Sequence, residues 1–118
     1  MVLKFGIDVS HYQGNFDFKR AKTNHGVEFA ILKIAGGDCG LYKDPKFDRN
    51  YSECKKIGLP IGCYFFSEAT TMDKAKKEVD YWIDLMKGKQ FEYPVFLDVE
   101  ELRFRVISRF DVHRVDLR

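Results

Sequence analysis

Residues 29–35 read Phe-Ala-Ile-Leu-Lys-Ile-Ala (FAILKIA), one charge in an otherwise apolar run that ends at Gly36–Gly37. Such a run is expected of a β-strand buried on both faces, as in a parallel sheet. Working outward, the chain alternates strand and helix. Phe5–Ser10 (FGIDVS) is a short β-rich run, residues 16–23 (FDFKRAKT) suit a short helix, and Asn24–Gly26 suits a turn. Pro45–Gly58 reads as a helix, with Pro45 in its first turn, Phe47, Tyr51 and Cys54 at helical spacing, and Gly58 as its stop. Ile61–Phe66 is a third strand. Thr71–Gly88 is the clearest helix, with Thr71 as cap and an apolar stripe of Met72, Ala75, Val79, Trp82, Ile83 and Met86. Tyr93–Glu100 (YPVFLDVE) is a fourth strand. Strands alternating with helices imply an α/β fold: a parallel sheet with right-handed crossovers, here about four βα units of a barrel-like arrangement.

Composition narrows the classes. The chain has 118 residues, 45% apolar and 15% aromatic, with net charge +2. That suits one globular domain but falls short of a complete eight-unit β/α barrel, which takes about 200–250 residues. No apolar run approaches the roughly 20 residues of a membrane span. The start, MVLKFGIDVS, lacks the apolar core of a signal peptide. Charge this near zero gives no argument for nucleic acid or an anionic membrane as partner. Cys39, Cys54 and Cys63 form no C-x-x-C pair, and His11, His25 and His113 are scattered. Inert thiols, no metal and no cofactor are therefore expected.

Side chains alternate faces along a strand. Asp98 and Glu100 therefore share one face with Phe96, while Leu97 and Val99 turn to the helices. In the first strand Asp8 lies with Gly6 and Ser10, opposite Ile7 and Val9. In the third, Tyr64 and Phe66 lie with Gly62. Lys33 is placed inward with Ile31 and Ala35. Carboxylates on one face at strand ends are costly unless exposed or used, and α/β proteins build sites at the carboxyl ends of strands. Three carboxylates beside aromatic rings suit sugar cleavage: rings give flat platforms for pyranose faces, and paired carboxylates supply acid and base. On spacing alone, a solvated strand end is the commoner explanation of D-x-E.

FGIDVSHYQGNFDF resembles the opening of the family 25 glycoside hydrolases, the lysozymes of the Chalaropsis and phage endolysin type. GLYKDPKFDRNY, GLPIGCYFFSEA and FEYPVFLDVE resemble later blocks of that family, in the same order over residues 3–100. The resemblance implies an irregular β/α barrel acting on peptidoglycan glycan strands. The bond cut would join N-acetylmuramic acid to N-acetylglucosamine through a β-1,4 link. It makes Glu100 the general acid, Asp98 a supporting carboxylate and Asp8 the first-strand carboxylate at the site mouth. Tyr64 matches a residue lining the sugar site. The block around Phe66 departs from commoner family versions, and His11 and Tyr12 match the opening motif as rim or architectural residues. Phe96 stands where the chitinase-type acidic motif needs another Asp. Action on the cell wall follows.

The first 100 residues carry 13 Lys and 2 Arg, whereas residues 101–118 carry five Arg and no Lys. Nothing after Glu100 resembles the family's further strands. The expectation is therefore that residues 1–100 are the N-terminal part of the barrel and 101–118 a divergent tail, from a truncation or a shifted frame, with a non-catalytic wall-binding fragment or an inert gene fragment as the alternatives to an enzyme. Four strands do not close a barrel. The fourth is thus expected to offer a free edge, with exposed inner faces, a route to self-association, and low or absent activity of the 118-residue chain.

Overall fold

The computed structural model describes residues 3–37, 40–99 and 104–105. In chain order these form β1 (Gly6–Val9), a short 3-10 turn (His11–Gln13), α1 (Phe18–His25), β2 (Phe29–Gly36), β3 (Tyr42–Lys43), α2 (Phe47–Lys56), β4 (Ile61–Ser67), α3 (Met72–Met86), β5 (Val95–Val99) and β6 (Phe104–Arg105). The sheet runs β1-β2-β4-β5-β6. Strands β1, β2, β4 and β5 are parallel, and β6 runs antiparallel to β5. All four strands and all three helices expected from the pattern are present.

Local chemistry sets the boundaries. The Asp17 side chain accepts the Arg20 N–H at α1, and Gly26 ends that helix in the left-handed region at φ 68°. Thr71 caps α3 through the Lys74 N–H. All eight residues of β2 are buried, as a central parallel strand requires. Ile7, Val9, Ala30, Leu32, Ile61, Cys63 and Phe65 face the helices and meet Phe18, Ala21, Phe47 and Cys54 in one core.

Four expectations need correction. First, β5 is not a free edge, because β6 pairs with it: Asp98 lies opposite Arg105 and Val99 opposite Phe104. Second, a further strand, β3, occupies the edge of β2 past Leu32, where β1 ends; Ala35 pairs with Lys43 and Gly36 with Tyr42. Third, the pairing of β2 with β4 slips between Lys33 and Ala35. The slip makes Ile34 an extra residue, so Ala35 joins Ile34 on the core side and Gly36 takes the inward position beyond Lys33. Fourth, the apolar stripe of α3 is not all buried: Met72 is 74%, Val79 41% and Ile83 50% exposed. The sheet instead receives Glu78, with Tyr81, Trp82, Leu85 and Met86 packed partly buried against the core.

The inner face is also less open than expected. Phe29, Ile31, Lys33 and Asp98 are all buried. Phe29 stacks on Tyr93 with ring centroids 4.4 Å apart, and its ring lies where a side chain on Gly6 would stand. Aromatic rings flank Lys33 on the same face.

Candidate active site

Pairing register assigns inward neighbours rung by rung. Asp8 lies opposite Ile31, which lies opposite Gly62. The next inward rung is Lys33, Tyr64 and Phe96. The rung nearest the carboxyl ends is Gly36, Phe66 and Asp98. The fold thus brings Phe66 and Asp98 side by side, with Tyr64 one rung below. Asp8 lies a rung further down, on the far side of β2 and β4. Glu100 lies outside the described residues.

Lys33 is the inward cation of this face, 6% exposed. Its Nζ donates to Tyr42 Oη at 2.6 Å and lies 5.0 Å from the Tyr42 ring centroid and 5.4 Å from that of Phe66. The Tyr42 ring crosses the inner side of Gly36, where any Cβ would collide with its phenol. The absence of a side chain at Gly36 therefore lets Tyr42 approach the rung of Phe66 and Asp98. Ring faces beside an ammonium are attractive, and ring faces also suit apolar sugar surfaces. Tyr42 lines the candidate site, and the sequence pattern does not single it out. Its two-residue strand gives too short an alternation to read.

His11 and Tyr12 sit in the 3-10 turn after β1, which Ser10 caps by accepting the Tyr12 N–H at 3.2 Å. Tyr12 is 70% exposed, with its ring tilted against His11 at 4.3 Å between centroids. His11 is held from outside the strand. Its Nδ1 lies 2.8 Å from Asp44 Oδ2, and its N–H donates to the same oxygen at 3.1 Å. Asp44 is buried, and its Oδ1 accepts the Lys46 N–H at 2.9 Å, just before α2. This aspartate, 33 residues from His11, was also not singled out, and only the fold joins them.

Among the described residues no group of three His, Cys, Asp or Glu is placed to hold a metal ion. Cys54 and Cys63 are free and buried, and burial pushes both thiols up to about 12, so they stay protonated. Among the described residues no helix is long and apolar enough to cross a membrane.

A helix-backed parallel sheet, with a carboxylate and aromatic rings gathered inside its carboxyl ends, has the architecture of part of a β/α barrel, and that rim is the candidate site. The chain belongs to the glycosyl hydrolases family 25, whose family model matches residues 7–113. It is 34% identical over 77 residues to lysozyme M1 of Streptomyces globisporus, a match covering 65% of this chain and 25% of that protein. Its fold is similar to the modular autolysin LytC from Streptococcus pneumoniae, solved with a synthetic peptidoglycan ligand. There the TM-score is 0.74 at 24% identity, over 89% of this chain and 26% of that one. A family 25 glycosyl hydrolase from Bacillus anthracis gives a TM-score of 0.65 at 27% identity, over 80% and 41%. The chain therefore spans a quarter to two fifths of the length of these relatives.

Proposed function

We propose that the chain forms the acid-bearing part of a peptidoglycan hydrolase that cleaves the β-1,4 bond between N-acetylmuramic acid and N-acetylglucosamine. The observation that carries this is the rung of Gly36, Phe66 and Asp98 at the carboxyl rim of a sheet belonging to family 25. Lysozyme M1 and the peptidoglycan-bound autolysin support the substrate class. Glu100, two residues beyond Asp98, protonates the glycosidic oxygen. Asp98 or Asp8 then opposes the positive charge that develops on the sugar ring or orients a substrate acetamido group, while Tyr64 and Phe66 receive the pyranose faces. His11 and Tyr12 form the outer rim, and the protein acts on the cell wall.

The test is release of reducing ends from purified peptidoglycan by the chain, run beside Glu100→Gln. The expected result is weak release from this part of the barrel, which the substitution lowers by about 10²-fold or more. Equal release by both chains removes Glu100 from the acid role. Retention on insoluble peptidoglycan with no product would make the chain a wall-binding module instead.

A further inference from the structure

Glu78 is the buried residue of α3, 6% exposed, on the helix side of the sheet. A carboxylate is costly to bury unless hydrogen bonds replace its water. Here Oε1 accepts the Ser67 hydroxyl at 2.5 Å and Oε2 accepts the Glu68 N–H at 3.2 Å. Ser67 Oγ in turn accepts the Ala69 N–H at 3.3 Å. The same Oε2 fills the space a side chain on Gly37 would need, so a Cβ there would have to displace the carboxylate. Gly37 then donates its N–H to Phe66 O at 2.9 Å. One side chain thus meets the carboxyl ends of both β2 and β4, directly behind the rung that holds Gly36, Phe66 and Asp98.

We propose that Glu78 is a positioning residue for the rim. From the outer layer it clamps the end of β2 to the end of β4, and so fixes the Phe66 ring and the Gly36–Gly37 passage beside Asp98. Its role in sugar binding rests on the peptidoglycan hydrolase proposed above. Glu78 touches no sugar, and it acts through Ser67, Glu68 and the backbone of Gly37. The carboxylate is suited to this because it accepts two donors from β4 and the following loop while presenting an oxygen to a glycine. Gln retains one acceptor and the same length, whereas Ala retains neither.

The test compares the unaltered 118-residue chain with Glu78→Gln and Glu78→Ala. Three readouts are taken: the melt, amide hydrogen exchange, and the dependence of reducing-end release on solubilised peptidoglycan concentration. In Glu78→Ala the amides of Gly37, Glu68 and Ala69 are expected to exchange about tenfold faster or more while Ala30 and Leu32 stay protected. The half-saturating peptidoglycan concentration is expected to rise about tenfold with kcat changed less than twofold, the pattern of lost binding geometry. Glu78→Gln is expected to recover part of both. Uniform acceleration across the sheet, rim amides that stay protected, or an unchanged half-saturation each overturn the proposal. If Glu78→Ala does not fold, the same criteria apply to Glu78→Gln. If the unaltered chain releases no reducing ends, as the low or absent activity expected of 118 residues allows, the exchange pattern alone decides the clamp.

Discussion

Asp44→Ala tests how the turn carrying His11 and Tyr12 is held. The Asp44 side chain is fully buried and accepts three donors: the His11 N–H, the His11 ring at Nδ1, and the Lys46 N–H. Alanine removes all three acceptors and leaves the backbone of residue 44 free to keep its bonds from Phe47 and to Ile34. A buried donor left unpaired costs about 1–3 kcal/mol. The His11 side chain is 33% exposed, so water replaces part of its bond, and the two backbone donors carry most of the loss. The expected destabilisation is about 2–4 kcal/mol, against a total of roughly 5–15 kcal/mol for a domain. At about 4–8 °C per kcal/mol for a small domain, the midpoint falls by roughly 10–25 °C. Asp44→Asn keeps one carbonyl acceptor and is expected to lose about half as much. Urea unfolding followed by circular dichroism measures both. An Asp44→Ala chain within about 1 kcal/mol of the parent would refute the claim that this carboxylate joins β1's exit to the start of α2.

Stability is expected to fall at alkaline pH. Both Cys54 and Cys63 are raised from 9.0 to about 12 in the folded chain, so their contribution is complete below pH 9 and is lost as pH rises toward 12. The slope is about 1.4 kcal/mol per pH unit for each thiol, and Cys63→Ala should shed its share in urea melts at pH 8 and 10.5. Neither thiol should react with a thiol reagent faster than the chain unfolds. Gly62→Ala should leave little soluble folded protein, because its Cβ would collide with the Pro94 carbonyl, a backbone atom that cannot step aside. Ile83→Lys and Met72→Lys should each change stability by less than about 0.5 kcal/mol, since both positions face water; a loss above 2 kcal/mol would place them in an interface.

Most of the framework was legible because single-residue chemistry decides it. The FAILKIA run could be satisfied only by burial on both faces, Thr71 marks the start of α3 through its side-chain cap, and Gly26 marks the end of α1 through its left-handed backbone. The inward positions of Asp8, Tyr64, Phe66 and Asp98 follow from the two-residue period of a strand. Three features needed the fold itself. The slip at Ile34 carries no glycine or proline to announce it. Tyr42–Lys43 is too short to show alternation. In α3 the apolar arc is wider than the contact with the sheet, so periodicity identifies the helix without saying which edge of the arc is covered. A buried Glu78 is the least expected outcome of that choice, and only the hydroxyl of Ser67 and the N–H of Glu68 make it tolerable.

The slip in β2 also gives the rim its composition. With regular alternation Ala35 would follow Lys33 on the inner face, and its methyl group would stand between β3 and β4. The extra residue instead sends Ala35 to the core, opposite Phe65, and brings Gly36 inward, opposite Phe66. A position without a side chain lets the Tyr42 ring cross β2, and the Lys33 ammonium then lies within reach of both rings. Gly37, the next residue, leaves room on the opposite side for the Glu78 carboxylate. Two adjacent glycines thus serve two layers: one admits an aromatic ring to the inner face, and the other admits the Glu78 carboxylate behind it. Removing the extra residue by deleting Ile34 should therefore disturb both sides at once, loosening the Glu68 amide and the Tyr42 ring together, whereas a defect confined to the core would disturb neither.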